Sequence, residues 1–415
     1  MKIIADLHLH GRYSRGCSTK LDIASLEKWG NIKGLGLMGT GDFTHPLWVK
    51  ELKDNLTEDE SGILKTKNGT DFLLQTEISL IYTQDGKGRR VHNIVLAPNF
   101  EVVDQITEVL MKRGRVDYDG RPIFKIPCPE FVDLMQGVDK RVEVIPAHIL
   151  TPWFSLFGSR SGFDSINDCF QDKTNKIHAL ETGLSSDPKM DRRMSQLDNY
   201  KLVSFSDSHS FWPWRLGREA TIFDLKEKSY DAILAALKGE EGISGTIEVD
   251  PCYGKYHFDG HRNCGVCFEP QESLKNENLC PKCGSPLVLG VLHRVEDLAD
   301  KENPKYENFY SLIPLSELIA KVVGAGIATK KVWNVYDKLI DNFDNEFKIL
   351  IDVSKEELSK LVDPRLIDLI IRNREGNLVI KPGYDGEYGE LSLDNSIIKK
   401  SSFKSGIKQK SLFDF

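Results

Sequence analysis

Seven short apolar segments in the first 245 residues each contain, or are directly followed by, an acidic or histidine residue. Amphipathic stretches such as 22–30, 101–113 and 191–200 separate these segments. Strands that alternate with helices predict a parallel sheet with helices outside it, and seven strands favour a closed barrel. The predicted strands are 2–9, 35–41, 72–82, 91–97, 142–147, 177–182 and 202–206.

Residues of the types that bind metal ions fall on all seven predicted strands. In the opening MKIIADLHLHG, Asp6, His8 and His10 alternate with apolar residues, so their side chains share one face of a strand. Asp207 and His209 in SFSDSHS repeat this spacing. Most of the set follows a strand end, where the active sites of barrels are built. The predicted ligands are His8, His10, Asp42, Glu77, His92, His148, Glu181, Asp207 and His209.

The chemistry of this set favours a cluster of metal ions. Imidazoles mixed with carboxylates suit Zn²⁺, Mn²⁺ or Fe²⁺, and the set is too rich in imidazole for Mg²⁺ or Ca²⁺ alone. Any one of these residues could be a structural polar group, but nine in register with seven strands predict metal binding. We expect two or three divalent ions (zinc, manganese or magnesium). The predicted catalytic residues are His8, His10, Glu77, His148, Asp207 and His209.

The order of these residues resembles a known superfamily. D-x-H-x-H at the first strand, MGTGDFTH after the second and D-x-H at the last resemble the PHP (polymerase and histidinol phosphatase) superfamily over about the first 245 residues. The resemblance implies a distorted seven-stranded α/β barrel that binds up to three ions. The amidohydrolase barrel also begins with H-x-H and ends with an Asp, but the acid Glu77 and the Asp207–His209 pair favour the PHP superfamily.

The same resemblance implies how the ligands are shared between ions. One ion would be held by four residues: His8, His10, Glu77 and Asp207. A second ion would share Glu77 with two histidines, His92 and His148.

The third site departs from the superfamily. The superfamily often has T-D-H where Phe43 follows Asp42 in this chain. Asp42 and His209 are its implied ligands, and two further residues are weaker candidates: His45 and Cys17. Glu181 would be a ligand or would orient one.

Four of the eight cysteines form two C-x2-C pairs that are separated by twelve residues. Thiolates in this pattern predict a zinc ribbon with one structural zinc ion rather than disulfides. The predicted zinc ligands are Cys264, Cys267, Cys280 and Cys283. The preceding KYHFDGHR interleaves basic and aromatic residues as a DNA-contacting surface would. Its candidate DNA contacts are Lys255, His257, His261 and Arg262.

The barrel residues, the KYHFDGHRNCGVC stretch and a helical C-terminal region together resemble the endonuclease Q family over nearly the whole chain. The resemblance implies a DNA-repair endonuclease that cleaves 5′ to deoxyuridine, deoxyinosine or an abasic site by means of a metal-bound hydroxide. We expect the damaged base to be flipped into a pocket beside the metals. Candidate lesion contacts are Trp153, Phe154, Arg160, Trp212 and Trp214. The alternatives are a small-molecule phosphatase and a non-catalytic DNA-binding protein.

The last residues resemble a sliding-clamp-binding peptide, in which Gln409, Leu412 and Phe415 would be the docking residues.

The predicted units are a barrel at 1–245, a zinc ribbon at 246–300, a mainly helical domain at 301–395 and a flexible tail at 396–415. A net charge of −7 does not favour DNA binding over the whole surface, so a local basic surface would be needed. Because no signal peptide or membrane-spanning run is evident, a cytoplasmic, nucleoid-associated protein is expected.

Overall fold

The computed structural model describes residues 1–393. The predicted tail and its clamp-binding peptide, with Gln409, Leu412 and Phe415, lie outside the described residues. The fold is mixed α/β, as predicted. Its strands are β1 (Lys2–Asp6), β2 (Leu37–Gly39), β3 (Leu64–Lys65), β4 (Asp71–Leu73), β5 (Gln75–Gln84), β6 (Lys87–Leu96), β7 (Ile123–Phe124), β8 (Glu143–Pro146), β9 (Ala179–Glu181), β10 (Lys201–Val203), β11 (Ala220–Asp224), β12 (Ile243–Glu248), β13 (Asp259–His261), β14 (Val266–Phe268), β15 (Phe309–Ser311), β16 (Val379–Lys381) and β17 (Glu390–Ser392).

The first helix begins and ends at residues with clear capping roles. Asp22 accepts a hydrogen bond from the Ser25 N–H before α1, and Gly34 ends that helix in the left-handed conformation. The helices are α1 (Ile23–Lys33), α2 (Pro46–Asn55), α3 (Phe100–Met111), α4 (Cys128–Val138), α5 (Ile166–Phe170), α6 (Pro188–Asp191), α7 (Tyr230–Leu237), α8 (Pro270–Lys275), α9 (Val291–Leu298), α10 (Leu315–Val323), α11 (Lys330–Phe343), α12 (Glu346–Ile351), α13 (Lys355–Ser359) and α14 (Pro364–Arg374). In the part of the chain described, no helix is long and apolar enough to span a membrane.

The strands form a mixed arrangement rather than the parallel sheet that was predicted. A seven-stranded sheet has the order β15-β12-β11-β1-β2-β4-β3, and a four-stranded sheet has the order β7-β5-β6-β8. β1, β2 and β4 are parallel, as are β9 and β10, but β5–β6, β6–β8 and β1–β11 are antiparallel. β5 and β6 form a hairpin because Asp85 and Gly86 both have positive φ, which a tight hairpin turn requires.

The strand ladders do not close into one barrel, although single hydrogen bonds cross the gaps between them. The Ile149 N–H donates to the Glu181 carbonyl across the ends of β8 and β9 at 3.0 Å. Beyond β10, the Ser208 N–H donates to the His8 carbonyl at 3.3 Å, and the His10 N–H donates to the Ser208 carbonyl at 3.0 Å. These bonds bring the ends of β1, β8, β9 and β10 to one place.

All seven predicted strands are present, but one predicted helix is wrong. In place of a helix over 191–200, the chain has α6 and a short 3-10 turn at Ser195–Leu197. The buried Arg192 side chain explains the irregular path, because its guanidinium donates to the carbonyls of Leu197 and Tyr200. Those carbonyls therefore need no helical partner.

The C-terminal helices pack on the first helix through a buried ion pair. Lys33, at the end of α1, is 1% exposed and donates to Glu346 Oε1 at 2.7 Å and to the Pro213 carbonyl at 2.8 Å. The same carboxylate accepts from the Leu315 N–H at 3.0 Å and from the Tyr336 hydroxyl at 2.7 Å. This junction connects α10, α11 and α12 to the loop that follows β10.

The predicted unit boundary at residue 245 falls inside β12. β12 pairs in parallel with β15, which belongs to the predicted C-terminal domain. The edge of the sheet that β12 and β15 form is therefore built from two parts of the chain that are far apart in sequence.

Candidate active site

Four of the predicted ligands converge where β1 and β10 end. His8, His10, Glu77 and Asp207 each offer a ligand atom, and these atoms all lie within 4.8 Å of one another. His10 Nε2 lies 3.1 Å from Asp207 Oδ1 and 3.2 Å from Glu77 Oε2. His8 Nε2 is buried without a hydrogen-bond partner, which is costly unless another group binds it. We call these four residues the first metal group.

Glu77 also belongs to a second metal group, with His92 and His148. Its other carboxylate oxygen, Oε1, lies 2.6 Å from His92 Nδ1 and 3.2 Å from His148 Nε2. The β5–β6 hairpin places Glu77 and His92 here from within strands rather than from strand ends. One carboxylate thus faces both groups, which is the arrangement that the superfamily resemblance implied.

Two predicted ligands contact the far sides of the histidine rings instead. Glu181 lies 2.9 Å from His8 Nδ1 and accepts from the His148 N–H at 2.6 Å. Asp42 lies 3.0 Å from His10 Nδ1 and accepts from the Gly11 N–H at 2.6 Å. Carboxylates in this position orient an imidazole and hold its other nitrogen toward a metal.

Within residues 1–393, Asp42 and His209 join neither of these two metal groups and form no third group beside them. The His209 ring lies 4.2 Å from the His10 ring, and its Nδ1 is 3.2 Å from the Asp207 carbonyl. His45 stacks on Tyr13 with ring centroids 4.6 Å apart. The weaker candidates Cys17 and His45 belong to neither group.

The backbone is strained at three of these residues. Asp42, His148 and Asp207 have φ values of 45°, 33° and 47°, which residues other than glycine rarely adopt. Gly183, with φ of 76°, lies against His148, and a Cβ there would collide with the His148 Cβ. Such strain is typical of functional sites, where surrounding contacts hold a side chain in one position.

The charges in the cluster lower the pKa values of two of its acids. Burial raises the pKa of Glu77, but His92, Arg121 and His8 lower it well below its usual range. Burial likewise raises the pKa of Asp207, while the hydrogen bond from His10 and the charge of His8 lower it overall. Burial lowers the pKa of His92 to about 4, which favours the neutral form of the imidazole, the form that binds a metal through a lone pair.

A cavity of about 300 Å³ opens beside both metal groups. His92, His148 and Asp207 line one side, and the cavity also has basic lining residues: Arg121, Arg218 and Lys255. The sequence analysis did not identify Arg121, whose guanidinium donates to Glu77 Oε2 at 3.0 Å. Arg121 follows Gly120 in an irregular loop, so no periodic pattern marks it.

Only two of the predicted lesion-contacting aromatic residues line this cavity. Trp153 and Phe154 do, and the Phe154 ring lies 4.7 Å from the His92 ring. Trp212 and Trp214 stack on each other at 5.1 Å and lie elsewhere, in a cluster whose other members are Trp29 and Trp333. Although Trp212 and Trp214 are close to His209 in sequence, they therefore do not line the cavity.

Three of the predicted zinc cysteines come together. Cys264, Cys280 and Cys283 group with His261, whose Nδ1 lies 3.4 Å from the Cys283 Sγ. Cys267 lies outside this group, because it pairs with Gly260 on the β13–β14 hairpin while His261 pairs with Val266. Neighbouring positions on a strand face opposite sides, so His261 and Cys267 point apart.

The remaining candidate DNA contacts have different surroundings. Lys255 lines the cavity. His257 is buried, with Nδ1 3.2 Å from the Ser185 carbonyl, and Arg262 is exposed. Arg160 donates to the Leu287 carbonyl at 3.0 Å, and its guanidinium lies 5.5 Å from the Trp153 ring centroid.

Known proteins resemble this chain over one segment, over more than half of it or over nearly all of it. Residues 314–377 match the protein-family model described as the MJ0043 C-terminal domain. The uncharacterized protein MJ0043 of Methanocaldococcus jannaschii is 38% identical over 250 residues, which span 58% of this chain but only 31% of that protein. The uncharacterized protein YqxK of Bacillus subtilis is 30% identical over 94% of this chain and 99% of its own length.

Two crystal structures match nearly the whole chain. The lesion-specific endonuclease PfuEndoQ of Pyrococcus furiosus superposes with a TM-score of 0.85 and 32% identity, over 96% of this chain and 97% of that one. This chain belongs to the endonuclease Q family. A second endonuclease Q structure, complexed with a 27-mer duplex carrying an abasic lesion at the active site, has a TM-score of 0.86, 32% identity and coverage of 96% and 98%. The predicted resemblance to endonuclease Q is confirmed.

Proposed function

We propose that this protein is a metal-dependent DNA-repair endonuclease that hydrolyses the phosphodiester 5′ to a deaminated base or an abasic site. The single observation that carries the proposal is the position of Glu77, shared by two metal groups beside an open cavity. Support comes from the related endonuclease Q that was crystallised with an abasic lesion at its active site. Paired ions suit phosphoryl chemistry because charge develops on two oxygens at once.

The residues fit divalent ions. His8 Nε2 lacks a hydrogen-bond partner although it is fully buried, and it faces the carboxylates of Glu77 and Asp207 at 3.6 Å. Ions bound there would lower the pKa of water and offset the charge of the reacting phosphate. We propose two ions, zinc, manganese or magnesium, held by the two metal groups, with no third site required.

The chain's own residues hold this centre in place and contact the substrate. Glu181 and Asp42 keep His8 and His10 oriented through their Nδ1 atoms. Arg121 lines the cavity and places a positive charge beside Glu77, where it can bind an oxygen of the phosphate. The cavity is large enough for a small ligand, and Phe154 and Trp153 offer faces for stacking on a flipped base.

Two further structural features would support this activity. We propose that the first unit acts as a distorted PHP-type barrel, because single hydrogen bonds link the ends of its separate ladders. We also propose a structural zinc held by Cys264, Cys280 and Cys283, which His261 completes.

A sliding clamp remains a proposed partner of the tail. Retention of the full chain on immobilised clamp, compared with a chain that ends at Lys408, tests this partner. Equal retention would remove the proposal.

The test of the function is nicking of end-labelled duplexes that carry uracil, hypoxanthine, an abasic site or no lesion, with Mg²⁺, Mn²⁺ or Zn²⁺. We expect one cut 5′ to each lesion and none in the undamaged duplex. Asp207→Asn should abolish cutting while binding persists, since asparagine tolerates the positive φ and only the charge is lost. The exposed Asp54→Asn is the matched control. Rapid hydrolysis of a phosphate monoester without nicking would instead indicate a small-molecule phosphatase.

A further inference from the structure

Three basic side chains from two parts of the chain surround Tyr388, which lies between β16 and β17. The Arg215 guanidinium lies 4.9 Å from the tyrosine ring centroid, and the Lys255 ammonium lies 5.7 Å from it. Arg218 donates to the tyrosine hydroxyl at 3.4 Å. Cations at these distances from an aromatic face are attracted to it, so Tyr388 holds together charges that would otherwise repel.

The segment that carries Tyr388 is firmly attached. The Gly386 N–H donates to the Lys255 carbonyl at 2.9 Å, and the Gly389 N–H donates to the Tyr253 carbonyl at 3.0 Å. A Cβ at Gly389 would collide with the Cys252 carbonyl, so only glycine permits this close approach. The position of Tyr388 is therefore set by backbone contacts.

Arg218 and Lys255 both line the cavity, and two carboxylates there, Glu219 and Asp207, act electrostatically on Arg218. Within residues 1–393, neither forms an ion pair with an acidic side chain, whereas Arg121 pairs with Glu77 and Arg215 pairs with Glu317. Arg218 Nε and Nη2 also donate to the carbonyl of Ser206, which directly precedes Asp207 in the chain. Two half-buried cations that form no ion pair within residues 1–393, beside a metal group, are suited to an anion.

We propose that Arg218 and Lys255, positioned by Tyr388, bind a DNA phosphate that flanks the scissile one. This inference rests on the proposed function and adds a binding site that is built from three parts of the chain. A phosphate fits better than a base because both groups only donate hydrogen bonds, and phosphates are the usual acceptors that set the register of DNA on a protein. It also supplies the local basic surface that a chain of net charge −7 requires.

The test uses abasic duplexes in which one phosphate at a time near the lesion is replaced by a neutral methylphosphonate. Binding is measured in EDTA, so that no cutting occurs. Wild type should lose about tenfold in affinity at one flanking linkage, the usual effect of losing one charged hydrogen bond. Lys255→Ala should bind the unmodified duplex about tenfold more weakly than wild type does. A methylphosphonate at that same linkage should then cause no further loss of affinity. The exposed Lys355→Ala should behave as wild type.

Further variants separate a binding role from a folding defect. Tyr388→Phe should keep most of the affinity because the ring remains, whereas Tyr388→Ala should match Lys255→Ala. With metal present, Lys255→Ala should raise KM with little change in kcat, and its salt slope should fall by about one. If Lys255→Ala stays as sensitive as wild type to every methylphosphonate, the inference is overturned. The proposed function fails separately, if wild type does not cut the abasic duplex.

Discussion

Removing the Glu346 carboxylate should destabilise the junction between α1 and the C-terminal helices. Glu346→Leu leaves the Lys33 ammonium buried, with the Pro213 carbonyl as its remaining partner among the contacts described above. It also removes the acceptor for the Leu315 N–H and the Tyr336 hydroxyl. Breaking a buried pair on one side costs about 3–5 kcal/mol, because an uncompensated charge remains inside the protein.

Urea unfolding followed by tryptophan fluorescence measures this cost directly. Four of the six tryptophans, Trp29, Trp212, Trp214 and Trp333, lie together at this junction. The midpoint should fall markedly for Glu346→Leu. Lys33→Met combined with Glu346→Leu should recover about 2 kcal/mol, because the buried charge is then gone.

Two outcomes would refute the reasoning about this ion pair. One is a Glu346→Leu protein within about 1 kcal/mol of wild type, which would mean that water reaches Lys33. The other is a double variant whose loss equals the sum of the two single losses, which would mean that the two side chains do not interact.

Three further outcomes follow from the metal groups and the cysteines. Gly183→Ala should lower nicking by at least tenfold, because its Cβ would displace His148, and unchanged nicking would contradict this contact. His261→Ala should lower the zinc retained per chain after dialysis, measured by mass spectrometry, whereas Cys267→Ala should not; the reverse result would restore the set of four cysteines. Chelation by EDTA should abolish nicking, and excess Mn²⁺ should restore it; nicking that survives full metal depletion would contradict a role for the ions in catalysis.

Part of the first metal group could be predicted from local spacing. His8 and His10 share a face through strand periodicity alone, and Asp207 follows a short apolar run. Each strand's existence was predictable for the same reason. The antiparallel β5–β6 hairpin was missed, although Asp85 and Gly86 form a recognised turn pair, because its two strands were assigned to a parallel sheet.

Other positions could not be predicted from the sequence because they depend on long-range packing. Trp212 lies near His209 in the chain, yet it packs on Trp333 more than a hundred residues away. Arg121 and Tyr388 come from irregular loops, where no repeating pattern shows which way a side chain points. Only the folded chain shows that Arg121 contacts Glu77 and that Tyr388 contacts Arg218.

The pairing of β12 with β15 limits how this enzyme can be shortened or recombined. A fragment cut at residue 245 would divide one strand and discard its neighbour, which leaves the β11 edge open to pairing with other molecules. It would also lack Lys255 and Tyr388. Engineers who seek a compact nuclease, or who fuse this catalytic unit to a new targeting domain, should therefore retain the chain at least through β17 and attach any partner beyond that point.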